Sequence, residues 1–134
     1  MDKFKQLFLE LKDLNFARDD FAIFGSGPMA VRGIKESRDL DIVVKNQLWK
    51  KLIKNHKVYF SQMGGECLHL GEIEIFHDWK PWFDNSEELI NSSDIIDGIR
   101  FVNLKYVLQW KIIFGREKDL KDIRLIEEYL KKNS

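Results

Sequence analysis

The chain has 134 residues, 44% hydrophobic and 33% charged, enough for one domain with a modest core and too short for two comfortable ones. Its 22 basic and 22 acidic residues give a formal net charge of zero, which excludes a global field that would recruit nucleic acid or an anionic membrane. The single Cys67 excludes an internal disulfide, and Met1-Asp2-Lys3 opens no signal-peptide pattern, so a reducing cytoplasm is the expected location.

Residues 3–15 carry Phe4, Leu7, Phe8, Leu11 and Leu14 at helical spacing, which predicts an amphipathic helix covering one face of a sheet. After a polar turn, Phe21-Ala22-Ile23-Phe24 is a short apolar run halted by Gly25-Ser26-Gly27, read as a buried strand ending in a tight turn. Ser26 is an N-cap type and Pro28 suits a first helical position, so a helix should start there at once. Met29, Ala30, Val31 and Ile34 can face a core until Gly33 and Lys35-Glu36-Ser37-Arg38 end it. The next strand-like run, Leu40 to Val44, carries Asp39 and Asp41 at its start. Side chains two apart on a strand share a face, roughly 6.5–7 Å from one another, so these two carboxylates are expected in one site.

Asn46 to Asn55 is helical through Leu48, Trp49, Leu52 and Ile53, and the alternation of strand and helix says α/β. Then 57–61, 66–70 and 73–76 read as short strands with Gly64-Gly65 and Gly71-Glu72 between them, an antiparallel meander. Glu74 lies between Ile73 and Ile75, where an acid needs a partner or a cation; Glu72 belongs to the turn, and a register slip would exchange the two. Cys67, His69 and His77 invite a zinc reading but lack a fourth ligand at a recognised spacing. The aromatic run His77 to Phe83 could stack a base or pack beneath a loop. Beyond it, a short helix over 86–92, a turn with one further strand near 99–102, a helix over 103–114 closed by Gly115 and a last helix over 117–131 are expected. That last helix should present Leu120, Ile123, Ile126 and Leu130 on one face and a Lys118–Asp122 pair on the other. Arg100, Lys105 and Lys111 interrupt the most apolar region, 99–114, which argues against a membrane span.

Paired carboxylates repel unless a cation lies between them or one is protonated, and Mg²⁺ prefers carboxylate oxygen. A glycine-serine turn just upstream offers backbone N–H groups to phosphate. Gly25-Ser26, a gap spanning 27–38, then Asp39-Leu40-Asp41-Ile42, with Ile73-Glu74-Ile75 later, resembles the signature of the nucleotidyltransferase superfamily, the fold shared with DNA polymerase beta. The resemblance implies an α/β (α+β) nucleotidyltransferase fold over 1–134, with a mixed central sheet, helices packed on one side and further C-terminal helices. The catalytic core would cover 16–83 and a helical extension 86–134.

The resemblance further implies that Gly25 and Ser26 hold a nucleoside triphosphate and that Asp39, Asp41 and Glu74 bind two Mg²⁺ ions, with Mn²⁺ as an alternative. A nucleoside monophosphate, from ATP as the expected donor, would pass to a hydroxyl on a small molecule, a protein or an RNA, releasing pyrophosphate. Lys111 and Arg116-Glu117-Lys118-Asp119-Leu120 are similar to a lysine helix and Arg-x-Lys-Asp segment of small antibiotic-modifying members, which would turn Lys111 toward the triphosphate. Arg32, Lys35 or Arg38 could neutralise the leaving pyrophosphate. A homodimer or partner subunit would supply the acceptor pocket. Val31-Arg32-Gly33 comes later than the equivalent Ala-Arg-Gly of members paired with a toxin. Two other readings stand beside this one. The Gly25 turn also fits a dinucleotide-binding fingerprint, which requires an acid about twenty residues on, where the chain has Lys45. The other is a non-catalytic nucleotide-binding or interaction module, such as an antitoxin-like partner.

Overall fold

A computed structural model describes residues 3–61, 65–77 and 86–133. Their order is α1 (Lys3–Asp13), a single 3₁₀ turn (Arg18–Asp20), β1 (Phe21–Phe24), α2 (Gly27–Ala30), β2 (Asp41–Val44), α3 (Asn46–Leu52), β3 (Tyr59–Phe60), β4 (Glu66–Leu70) and β5 (Ile73–Phe76). Then come α4 (Ser86–Asn91), β6 (Asp94–Ile96), β7 (Ile99–Phe101), α5 (Leu104–Phe114) and α6 (Glu117–Lys132). The strands form one mixed sheet in the order β3-β4-β5-β2-β1-β7-β6. The aromatic run expected to pack or stack lies, from Asp78 onward, outside the described residues.

Two strands fix the arrangement. β1 and β2 run antiparallel, with Phe24 opposite Asp41, and β2 runs parallel to β5, with Asp41 opposite Glu74. β4 then folds back on β5, placing His69 opposite Glu74, so the meander read from the glycine turns is present. The segment expected to be a helical extension also contributes the β6–β7 hairpin, and β7 pairs in parallel with β1. Asp97 and Gly98, at φ 53° and 78°, form its tight turn, since only residues tolerant of positive φ close a two-residue hairpin with the right twist.

Helices lie on both faces of the sheet, not on one as the resemblance implied. All four residues of β1, and Ile42, Val43 and Val44 of β2, are buried. A strand apolar on both faces needs cover on both. One face packs Ile23, Ile42, Ile75 and Leu68 with Leu7 and Leu11 of α1 and Trp49 of α3. The other packs Ala22, Phe24, Val43, Cys67 and Phe76 with Leu89 and Ile90 of α4, Val107 and Trp110 of α5, and Ile126 of α6. Each fully buried isoleucine here contributes about 1.5–3 kcal/mol.

The two C-terminal helices start and stop where expected, but α6 is rotated from its predicted face. The Asn103 side chain accepts from Lys105 N at 2.8 Å to cap α5, and Gly115, at φ 59°, ends it. In α6, Leu120 is 53% exposed, whereas Asp119 and Asp122 are 0% and 3% exposed. Apolar spacing points Leu120 inward, but basic side chains beneath the helix draw the two aspartates in instead, as buried carboxylates require. Asp122 therefore does not sit on a solvated face with Lys118. Among the described residues no helix is long and apolar enough to cross a membrane.

α2 is one turn, and its approach to β1 is set by the absence of a side chain. A Cβ on Gly27 would lie 2.3 Å from Cγ2 of Ile23, which is itself fully buried. Gly27→Ala is expected to destabilise the protein by about 1–3 kcal/mol through overpacking, read as a lowered urea midpoint at unchanged slope; unaltered stability would show that α2 is free to lift away.

Candidate functional site

The turn after β1, the start of β2 and the ends of α5 and α6 enclose a cavity of about 290 Å³. Gly25, Ser26, Lys35, Asp39, Asp41 and Lys111, all named from the sequence, line it together with Phe24, Trp110, Phe114, Arg116, Lys118, Asp119 and Asp122. Glu74 is not on that wall. It stands beside Asp41 on the same face, in the neighbouring strand.

Asp39 precedes β2 and is exposed, whereas Asp41 is its first residue and partly buried. The two acids are therefore not a strand i,i+2 pair, because the ladder begins only at Asp41. A serine link fixes the approach of the Asp39 segment. Ser37 Oγ donates to Asp39 O at 2.9 Å and accepts from Asp39 N at 3.3 Å. With one hydroxyl proton per serine, Ser26 must be the donor in its 2.5 Å bond to Ser37 Oγ. Ser26 thus ties the turn to the acidic segment and makes no side-chain cap for α2. A four-residue helix adds little dipole, so anion affinity at this turn would rest on its backbone N–H groups. Gly25 has φ 71°, and a Cβ there would lie 3.1 Å from Asp41 Oδ2; glycine brings the turn's backbone onto the carboxylate.

Burial, then the charges of Glu74 and Asp39, push the Asp41 carboxyl up to about 7. Among the described residues none of the three carboxylates makes an ion pair with a basic side chain. As they stand, the three do not converge tightly enough to hold one ion together; the described group that does is Cys67, His69 and Glu74.

The opposite wall is basic and tightly organised. Asp122 accepts from Lys35 Nζ at 3.0 Å and from Lys111 Nζ at 2.9 Å. Asp119 accepts from Arg116 Nε at 2.6 Å and lies 3.8 Å from Lys111 Nζ. Burial works to raise both acids, but hydrogen bonds from Lys111 and Lys35 hold Asp122, and those from Arg116 hold Asp119, below the usual carboxylate range. The sequence reading missed Asp122 as a clamp; its only signal was an acid on the same side of the helix as Ile126, one turn on. Trp110 and Phe114 were also missed as cavity walls, being indistinguishable from core in an apolar helix.

Arg32 is not brought to the cavity. Its guanidinium donates to Pro28 O at 2.8 Å and to Asp94 Oδ2 at 2.7 Å, a bracket between α2 and β6. Glu72 pairs with Lys3 in the β4–β5 turn, which separates it from Glu74. His77 falls on the opposite face from Cys67 and His69, stacked on Trp49 with ring centroids 4.1 Å apart. Comparison with protein-family models, curated proteins and solved structures gave no match.

Two expectations follow. A carboxyl held at about 7 when folded and near 4 when unfolded binds more protons in the folded state. Its stabilising contribution is full below about 4 and is lost as pH rises toward 7. Chelator-treated protein should lose stability across that window in urea titrations, and Asp41→Asn should flatten this component of the slope; an identical slope in the variant would refute the assignment. Asp122→Ala should cost about 2 kcal/mol, the scale of a charged hydrogen bond whose partner is left behind, and Asp122→Asn, which keeps the shape and one acceptor, should cost less; equal loss in both would show that the negative charge alone carries the clamp.

Proposed function

We propose that the protein is a magnesium-dependent nucleotidyltransferase that moves a nucleoside monophosphate from a nucleoside triphosphate to a hydroxyl acceptor. The observation that carries this reading is the division of one small cavity into an acidic wall without basic partners among the described residues and a lysine-rich wall clamped by Asp119 and Asp122. A triphosphate with its cations has that polarity.

Hard oxygen donors without an ion-pair partner fit magnesium, and a carboxyl with a raised proton affinity is one that lacks compensating positive charge. Asp39 and Asp41, with Glu74 beside them, would hold the ions. When bound, they supply electrostatic stabilisation of the attacking and leaving oxygens. The backbone N–H groups of the Gly25-Ser26 turn would bind the β- and γ-phosphates, with Lys35 and Lys111 opposite them. Trp110 and Phe114 line the same cavity and would bound the pocket for the base. Glu74 would take the proton of the acceptor hydroxyl as its oxygen bonds to the α-phosphorus and pyrophosphate departs. ATP is the donor to test first, and the acceptor, whether small molecule, protein or RNA, would enter from the open side, with a second subunit completing its pocket.

Calorimetric titration of non-hydrolysable ATP and the other triphosphate analogues, with and without Mg²⁺, tests this. Binding should require Mg²⁺. It should weaken by tenfold or more in Asp39→Asn/Asp41→Asn, since losing even outer partners of a metal costs about 10–100-fold. Binding that ignores both Mg²⁺ and the aspartates, or no binding of any nucleotide, would sink the reading for this chain.

A further inference from the structure

Cys67 and His69 are alternate residues of β4 and therefore share a face, the one that also carries Glu74 and Asp41. His69 is directly opposite Glu74 across the antiparallel ladder. One ligand atom from each of Cys67, His69 and Glu74 lies within 4.8 Å of the others. Cys67 is 2% exposed, His69 is exposed and Glu74 is half-buried, so the three descend from surface to interior. Tyr59 of β3 flanks them, its ring edge-on to His69 with centroids 5.6 Å apart.

We propose that Cys67, His69 and Glu74 form a site for a borderline-soft divalent cation of the zinc class, sharing Glu74 with the hard-oxygen cluster around Asp39 and Asp41. Thiolate, imidazole and carboxylate together are a donor set that zinc accepts and magnesium does not, and three protein ligands leave a fourth tetrahedral position for water. The ladder does most of the positioning. Two ligands come from one strand at the spacing that shares a face, and the third comes from the directly paired strand, where opposed Cβ atoms stand about 4.5–5.5 Å apart. Small rotamer changes bring the donors onto one ion. Binding releases the Cys67 proton to solvent. Glu74 belongs to both clusters, but the cation site does not rest on the nucleotide-transfer reading.

Cobalt(II) is the probe, titrated into the intact chain and followed by absorbance. Wild type should bind one equivalent with a thiolate-to-cobalt charge-transfer band and visible bands of tetrahedral intensity, and zinc should displace it. Cys67→Ser should abolish the charge-transfer band. His69→Ala, a change at an exposed position, should weaken cobalt by tenfold or more, as even outer-shell losses do, while leaving the thermal unfolding of metal-free protein unchanged. Absence of the band in wild type, or cobalt affinity unaltered in His69→Ala, would overturn the site. Since no nucleotide is present, these outcomes are independent of whether the chain transfers nucleotides.

Discussion

The parallel pairing of β2 with β5 is the constraint on which the site depends. It sets Asp41 against Glu74 on a face that is apolar one register step further in, at Val43 and Phe76. Burial, and then the charge of Glu74 beside it, raise the proton affinity of Asp41 there. The sheet tolerates this because Asp41 is the first residue of its strand. One step deeper, the same acid would face α5 and α6 with no solvent beside it, and its burial would cost several kcal/mol.

On the facing wall, acid and base change places. There Asp119 and Asp122 are the buried groups and the lysines and arginine surround them. The four acids and four bases lining the cavity balance in formal charge without all pairing: Lys35, Lys111 and Arg116 hold Asp119 and Asp122, while Asp39 and Asp41 have no basic partner among the described residues. A zero net charge for the whole chain thus conceals a polarised cavity.

Much of this was legible in the residues. β1, β2, β4 and β5 lie where alternation and glycine turns put them, and the choice of Glu74 over Glu72 followed from an acid between two isoleucines. The failures have physical causes. Hydropathy spacing aims Leu120 at the core because it cannot see that Lys35 and Lys111, distant in sequence, wait beneath α6 for Asp122. Arg32 looked like a phosphate ligand because its partner Asp94 is on a hairpin that local sequence only half announces. Apolarity on both faces of β1 and β2 did imply helices on two sides, but the family likeness suggested one. The pairing of Cys67 and His69 with Glu74 in place of His77 is a matter of strand parity: positions 74 and 76 share one face and 77 belongs with 73 and 75.

The Asp122 carboxylate joins a loop before β2, through Lys35, to α5, through Lys111. A ribosome extrudes Gly25, Asp39, Asp41 and Glu74 long before that aspartate emerges. Until then one face of the sheet lacks part of its cover and the two lysines have no common anchor. The acidic wall and the basic wall are thus completed by the same event, the docking of α6.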